Sequence, residues 1–231
     1  MKALAESTIE IPTISETAFE RGALPRADLQ LTLESLLSEN KLLRQELAEL
    51  QSFRALAYRD PLTGLWNRRY FDERLSEEIS RARRKLDYTF SLILVDVNDL
   101  KLVNDGEGHA AGDTLLRWVA RFLQSTTRAH DLVCRLGGDE FGLILPDCGS
   151  AQAHIVETRL RDGLAEANKH RKESVGMSLG TACCPEAGLL AEALVRTADV
   201  AMYADKRRQK AGRTLKAIAY ADDVCSDDRR R

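Results

Sequence analysis

The segment 132–146 constrains the fold of this chain most, because Gly137-Gly138-Asp139-Glu140 lies there between two apolar, strand-like runs. Adjacent glycines supply the positive φ angles of a tight hairpin, and without side chains they let another molecule approach the backbone. The two acids then project from a narrow turn, which suits a divalent metal carrying a phosphorylated ligand. Taken alone, the four residues also fit a solvated hairpin with an acidic tip.

The composition excludes several classes of protein. A chain of 231 residues, 44% hydrophobic and 30% charged, is long enough for one globular domain with an extension. A net charge of −2 argues against a general nucleic-acid binder or a membrane-surface protein. No run approaches the length of a membrane span, and the N-terminus lacks a signal-peptide pattern, so we expect a cytoplasmic protein. The five cysteines lack CxxC spacing, which argues against a disulfide framework or a zinc site.

A heptad repeat occupies the N-terminal part of the chain. Residues 1–27 have no periodicity and predict a flexible leader, whereas 28–58 predict a helix with two apolar series. Heptad d positions carry Leu29, Leu36, Leu43 and Leu50, and a positions carry Leu33, Asn40, Leu47 and Arg54. Leucine at d with a lone asparagine at a favours a parallel two-stranded coiled coil and hence a homodimer. The alternative is one amphipathic helix packed on its own globular domain.

The remaining chain predicts a globular domain over 59–218 and a disordered tail over 219–231. A continuous β-rich apolar run, Phe90–Val97, indicates a buried central strand. Helices and strands alternate around it, with Asn67 capping a helix that ends near Arg84. The further expected elements are helices over about 111–125, 150–169 and 189–210, the hairpin, and strands over 174–184 and 214–220. This order indicates an α/β (α+β) fold in which helices cover one central sheet.

Polar side chains follow the central strand directly. Asp96 ends the apolar run, and a carboxylate there emerges at the sheet edge, where ligands usually bind. A short helix starting next would offer its first backbone N–H groups to phosphate, although Asn98 or Asp99 is equally a candidate helix cap. Asp113 is a candidate cap for the following helix, and it is also suited to accept hydrogen bonds from a guanine edge.

Six segments, in this order, resemble the GGDEF domain of diguanylate cyclases over roughly residues 58–214. They are Asp60–Leu65 with Asn67–Arg69, Val95–Lys101, Asn104–Asp105, Gly108–Asp113, Arg135–Phe141, and Ala198–Tyr203 with Lys206. The resemblance implies a central sheet like those of nucleotidyl cyclases and polymerase palms. It also implies that two GTP molecules condense to cyclic di-GMP and two pyrophosphates, with Mg²⁺ or Mn²⁺, between two domains that face each other.

The resemblance assigns the metal to three carboxylates, Asp96, Asp139 and Glu140, together with the backbone carbonyl of Val97. Hard oxygen ligands of this kind suit Mg²⁺, which neutralises charge during phosphoryl transfer. Asp139 is also implied to help deprotonate the 3′-hydroxyl. The absent side chains of Gly137 and Gly138 would let the hairpin backbone approach the α-phosphate.

The resemblance also implies how the rest of GTP is bound. Asn104 and Asp113 match the guanine-reading pair, and the retained Asp113 implies a preference for GTP over ATP. The terminal phosphates are assigned to a group of amides and ammonium groups: the backbone of Asp99, Leu100 and Lys101 and the side chains of Lys101, Lys206 and Lys210. For the last two lysines, the alternative is a solvated basic helix end.

Three positions depart from the family pattern without removing an expected metal ligand. Asn98 stands at the second acidic position of the strand-end motif, Leu100 replaces an aromatic residue, and Lys210 stands where arginine is frequent. Lysine keeps the charge of arginine but loses its bidentate geometry.

An RxxD pattern, Arg128 to Asp131, ends shortly before the glycines and resembles the inhibitory cyclic di-GMP site of the family. Arg159, on the next predicted helix, is a candidate second contact. As a bare pattern, RxxD also fits a surface ion pair.

Three functions are consistent with the sequence: an active cyclase, a degenerate cyclase domain that binds cyclic di-GMP as a receptor, and a coiled-coil interaction module. The intact carboxylates favour the enzyme.

Overall fold

A computed structural model describes residues 26–171 and 174–227. The chain divides into two compact units, the first ending at Phe53 and the second beginning at Arg54. The predicted leader falls almost wholly on residues 1–25, which lie outside the described residues. No helix of the described chain is both long enough and apolar enough to cross a bilayer.

Helix α1, Arg26–Tyr58, confirms the helix predicted over 28–58. Within a single chain its heptad leucines are exposed; Leu36, Leu43 and Leu50, for example, are 56%, 56% and 66% accessible. The coiled coil itself stays a prediction.

The second unit is built on a five-stranded sheet with the order β1-β3-β4-β2-β5. All neighbouring strands are antiparallel except β1 and β3. The elements in chain order are β1 Trp66–Asn67, α2 Arg68–Arg84, β2 Phe90–Asn98, α3 Leu100–Glu107, α4 His109–Thr126, β3 Leu132–Arg135, β4 Glu140–Pro146, α5 Ser150–Lys169, β5 Gly176–Cys184 and α6 Ala191–Asp227. This mixed sheet flanked by helices confirms the predicted fold class.

Strand β2 is the centre of the sheet, and all nine of its residues are buried. Because successive side chains point to opposite faces, Leu92 and Leu94 join an apolar core with residues of α2 and α6. Ile93 and Val95 join a second core with residues of α4 and α5. A strand buried on both faces has no solvent-facing positions, which is why the residues from Leu92 to Val95 form a continuous apolar run.

The end of the second unit differs from the prediction. Helix α6 runs to Asp227, so the last strand expected over 214–220 does not form, and 219–227, expected to be part of a disordered tail, is helical. The segment from Thr214 to Asp227 contains neither glycine nor proline and is rich in alanine, a composition that continues a helix. The apolar residues that suggested a strand were too few to distinguish the two periodicities. Residues 228–231 lie outside the described residues.

The predicted absence of disulfides agrees with the described side chains, where Cys134, Cys148, Cys183 and Cys184 are free thiols.

Gly180 of β5 is the contact point between the sheet and α6. A Cβ atom added there would lie 2.0 Å from the carbonyl oxygen of Ala198 and 2.2 Å from the amide nitrogen of Met202. Because both atoms belong to helix backbone, a side chain at this position has to lift α6 off β5.

We expect Gly180→Ala to lower the free energy of unfolding by about 3 kcal/mol, at the upper end of overpacking costs. Urea denaturation followed by circular dichroism measures the change. Gly106→Ala is the matched control, since its added Cβ would have no neighbour within 4 Å. A Gly180→Ala protein as stable as wild type would contradict the close packing of α6 on β5.

Candidate functional site

Two carboxylates lie side by side where β2 and β4 meet. Asp96 of β2 pairs directly with Glu140 of β4, and directly opposed residues of antiparallel strands share one face of the sheet. The backbone amide of Val97 donates to the carbonyl oxygen of Asp139 at 2.9 Å, which fixes the turn residue against the strand end. The sheet therefore places at one strand end all three residues that the family resemblance assigned to a metal.

The Gly-Gly turn is held by one arginine. Arg135 donates from Nε to the carbonyl oxygen of Gly137 at 3.0 Å and from Nη2 to that of Gly138 at 2.9 Å. Its Nη1 donates to both carboxylate oxygens of Asp60, at 3.1 and 3.2 Å. The guanidinium therefore holds both glycine carbonyl groups. Neither Gly137 nor Gly138 has a positive φ angle, so the expectation that the pair supplies the positive φ angles of a tight hairpin is wrong.

Asp60 is itself fixed by its own turn. Burial raises the pKa of its carboxyl, but hydrogen bonds from Thr63 and Arg135 outweigh this, so the pKa lies below its usual value. The carboxylate is therefore ionised at neutral pH and anchors Arg135 by a charge-assisted contact.

Asp96 is buried, with 8% of its surface exposed, and is paired with a lysine. Nζ of Lys206, on α6, lies 2.7 Å from Oδ1 of Asp96. Burial raises the pKa of the Asp96 carboxyl, the Lys206 ammonium opposes the rise, and the charges of Asp139 and Asp99 add to it. The contact with Asp96 in turn raises the pKa of Lys206. The negative charge of the buried Asp96 carboxylate is thus stabilised by the Lys206 ammonium of α6.

The donor chemistry of these acids fits a divalent cation. Asp96, Asp139 and Glu140 offer only hard oxygen ligands, which Mg²⁺ and Mn²⁺ prefer. Among residues 26–171 and 174–227, no three histidine, cysteine or acidic side chains already converge on one point. In this arrangement the ammonium of Lys206 is the cation that Asp96 contacts.

Helix α3 begins immediately after the strand end. Asp99 precedes it in the left-handed region, with φ of 62°, and its side chain makes no capping bond. The Asn98 side chain instead bonds Ser178 and Gln209, so neither residue caps α3. The amides of Leu100 and Lys101 open the helix, where backbone N–H groups lack intrahelical acceptors.

Asn104 and Asp113 lie on the neighbouring helices α3 and α4. The Asn104 side chain lies against Gly112, where an added Cβ would come within 2.0 Å of the Asn104 Oδ1 atom. Helix α4 begins at His109, so Asp113 is not its N-cap. Asp113 is half-buried, and its carboxylate lies 4.0 Å from Arg117.

The comparisons with known proteins agree with this geometry. The family described as "Diguanylate cyclase, GGDEF domain" matches residues 57–212. The chain belongs to the GGDEF family. It is 34% identical over 179 residues to the probable diguanylate cyclase DgcE of Escherichia coli K12, covering 76% of this chain but only 16% of DgcE.

Two solved structures extend the likeness beyond the GGDEF domain. Diguanylate cyclase SiaD of Pseudomonas aeruginosa, in complex with its activator SiaC, has a TM-score of 0.64 and 33% identity, over 83% of this chain and 73% of SiaD. The coiled coil and GGDEF domain of DgcB from Caulobacter crescentus, in complex with cyclic di-GMP, has a TM-score of 0.64 and 28% identity, over 76% and 95% of the two chains.

The RxxD residues of this GGDEF domain form a compact turn. The Asp131 carboxylate accepts from the Arg128 backbone amide at 2.7 Å, and the Asp131 amide donates back to the Arg128 carbonyl at 3.1 Å. The contact is therefore not the side-chain ion pair considered from the sequence. The side chains of Arg128 and of Arg159 on α5 are exposed.

Lys206 and Lys210 lie one turn apart on α6, and Lys206 contacts Asp96 at the strand end. This contact argues against the alternative that Lys206 is only part of a solvated basic helix end.

Sequence reasoning missed several residues that shape the site. Arg135 and Asp60 were noted only as parts of motifs. The available signal for Arg135 was its position two residues before the Gly-Gly pair, whose carbonyl groups it binds. Arg68 was also missed, although it donates to the carbonyl oxygen of Leu136 at 3.0 Å and lies 3.6 Å from Glu140. Gln209 had no local signal at all.

Proposed function

We propose that this chain is a diguanylate cyclase that condenses two GTP molecules to cyclic di-GMP and two pyrophosphates. The observation that carries the proposal is the direct pairing of Asp96 with Glu140, beside a turn that brings Asp139 to the same strand end. A receptor that only binds the product would have no need of three adjacent acids, one of them buried.

We assign Asp96, Asp139, Glu140 and the carbonyl of Val97 to a Mg²⁺ or Mn²⁺ ion. Held there, the ion would supply positive charge to the triphosphate during attack of the other nucleotide's 3′-hydroxyl on the α-phosphate. Asp139 accepts the proton of that hydroxyl, and pyrophosphate leaves. Each domain holds one GTP, so the reaction needs two copies related by a two-fold axis.

We assign the terminal phosphates of GTP to the start of helix α3, and its guanine base to residues further along α3 and on α4. The amides of Asp99, Leu100 and Lys101 bind the terminal phosphates, because the start of a helix attracts anions. The side chains of Lys101, Lys206 and Lys210 add positive charge there, Lys206 exchanging Asp96 for phosphate when the ion binds. Further along α3, the Asn104 amide can donate to and accept from the guanine edge, and near the start of α4 the Asp113 carboxylate accepts from it.

Dimerisation through α1 raises the effective concentration of the second half-site. The exposed leucines of the heptad series support a parallel coiled coil, and the DgcB structure pairs a coiled coil with a GGDEF domain in its own chain.

We assign Arg128, Asp131 and Arg159 to an inhibitory cyclic di-GMP site. The exposed arginines suit phosphate, and structures of DgcB and its GGDEF domain contain that product.

We expect Glu140→Gln to lower cyclic di-GMP formation by roughly a hundredfold or more, because the variant loses one negative ligand of an ion that contributes several kcal/mol. Mass spectrometry of products formed from GTP and Mg²⁺ measures the rate. Glu166→Gln, at an exposed glutamate of α5, is the control and should keep wild-type activity. A wild-type protein that binds cyclic di-GMP but makes none would favour the receptor instead.

We expect Gly112→Ala to weaken binding of a non-hydrolysable GTP analogue about tenfold, since the new methyl group displaces Asn104 and costs one hydrogen bond to the base. The clashing atom ends a rotatable side chain, so stability should change little. Calorimetry gives the dissociation constant, with Gly106→Ala as control. Equal affinity in both variants would remove Asn104 from the guanine site.

We expect Leu43→Asp to convert the dimer to a monomer and to lower activity at low protein concentration, because Leu43 lies on the heptad seam. Leu42→Asp is the matched control: both leucines are 56% exposed in a single chain, but Leu42 lies outside the a and d positions. Light scattering after size exclusion measures the mass. Equal masses for the two variants would contradict the coiled coil.

A further inference from the structure

Asn98 departs from the acidic residue usual in the family, and its buried amide links β2 to α6. It is the last residue of β2 and points to the same face as Asp96, two positions earlier. Its Oδ1 accepts from Ser178 Oγ at 2.9 Å, and its Nδ2 donates to Oε1 of Gln209 at 3.0 Å. We propose that Asn98 and Gln209 are a matched pair of positioning residues that hold α6, and with it Lys206, against the strand end. This inference rests on the proposed function for its catalytic consequence only.

Gln209 connects the same point to the edge strand. Its Nε2 donates to the carbonyl oxygen of Met177 at 2.8 Å and to Oδ2 of Asp205 at 2.9 Å. Asp205 is buried and also accepts from the amide of Leu179 at 3.0 Å and from Arg161 at 3.0 Å. One turn of α6 is therefore fixed to the backbone of β5 at two places and to the end of β2 at a third.

The hydrogen-bonding capacity of these groups leaves one solution. A carbonyl oxygen and a carboxylate only accept, so the Gln209 nitrogen must face Met177 and Asp205, and both of its hydrogens are used. Its oxygen must then face residue 98, which has to donate. An asparagine donates through its Nδ2 group. An aspartate would instead place a carboxylate oxygen opposite the Gln209 oxygen, and neither of these two acceptors could donate a hydrogen bond. Turning the Gln209 amide over would only move that repulsion to Met177 and Asp205.

The pair controls the position of a functional group. Lys206 lies between Asp205 and Gln209 in the sequence, and its Nζ is 2.7 Å from Asp96. Loss of the bond at residue 98 removes one of the three attachments of the helix turn that carries Lys206, the one to the end of β2. An acidic residue at position 98, which is usual in the family, would therefore weaken the placement of Lys206 in this chain.

The test compares Asn98→Asp, the double variant Asn98→Asp with Gln209→Lys, and Arg207→Gln, a control at an exposed residue of the same turn of α6. An ammonium at position 209 has three donors, enough for the carboxylate at 98, Met177 and Asp205. Thermal unfolding is measured together with calorimetric binding of a GTP analogue with a methylene group between its α- and β-phosphates, in Mg²⁺.

We expect Asn98→Asp to lower the melting temperature and to weaken analogue binding about tenfold, the cost of one buried unsatisfied contact. The double variant should recover the melting temperature, and the affinity to within about threefold of wild type, and Arg207→Gln should match wild type in both. Wild-type melting and affinity in Asn98→Asp, or no recovery in the double variant, would overturn the matched pair. Failure of the proposed function would appear separately, as wild-type protein that forms no cyclic di-GMP from GTP.

Discussion

The contact of Arg135 with Asp60 and with two glycine carbonyl groups is the interaction on which the site depends. A glycine pair alone is the most mobile way to build a turn, because it loses the most backbone freedom on folding. A planar guanidinium with five donors limits that freedom by binding both carbonyl groups at once. The acids that follow the glycines are therefore carried by a turn whose shape is set by the segment at Asp60, 75 residues earlier in the chain.

The sequence predicted the parts of the fold whose signals are local. The strand Phe90–Asn98 is a continuous apolar run, and α5 agrees with its predicted ends, Ser150 and Lys169. The Asn67 cap was also correct, since its side chain accepts from the amide of Tyr70. The segment 214–220 was predicted wrongly, because a few apolar residues without breakers fit a strand and a helix equally well.

The candidate site was predicted as a list of residues but not as a set of contacts. Motifs identified Asp96, Glu140 and Lys206, and the sheet register explains why the first two meet. The pairing of Asn98 with Gln209 spans 111 residues and leaves no pattern in either segment. Capping of α3 by Asn98 or Asp99 was a reasonable expectation from the local sequence. The Asn98 side chain instead makes tertiary hydrogen bonds with Ser178 and Gln209.

Strand β2 lies between β4 and β5, with a layer of helices over each face, and it carries Asp96 near its end. A strand held on four sides is expected to open only when the whole domain unfolds, so the Asp96 carboxylate belongs to the least deformable part of the domain. Under the proposed reaction, each protomer then contributes one rigid half of the catalytic site. The rate responds to how often, and in what orientation, two such halves encounter each other, and a signal has no need to reshape either one.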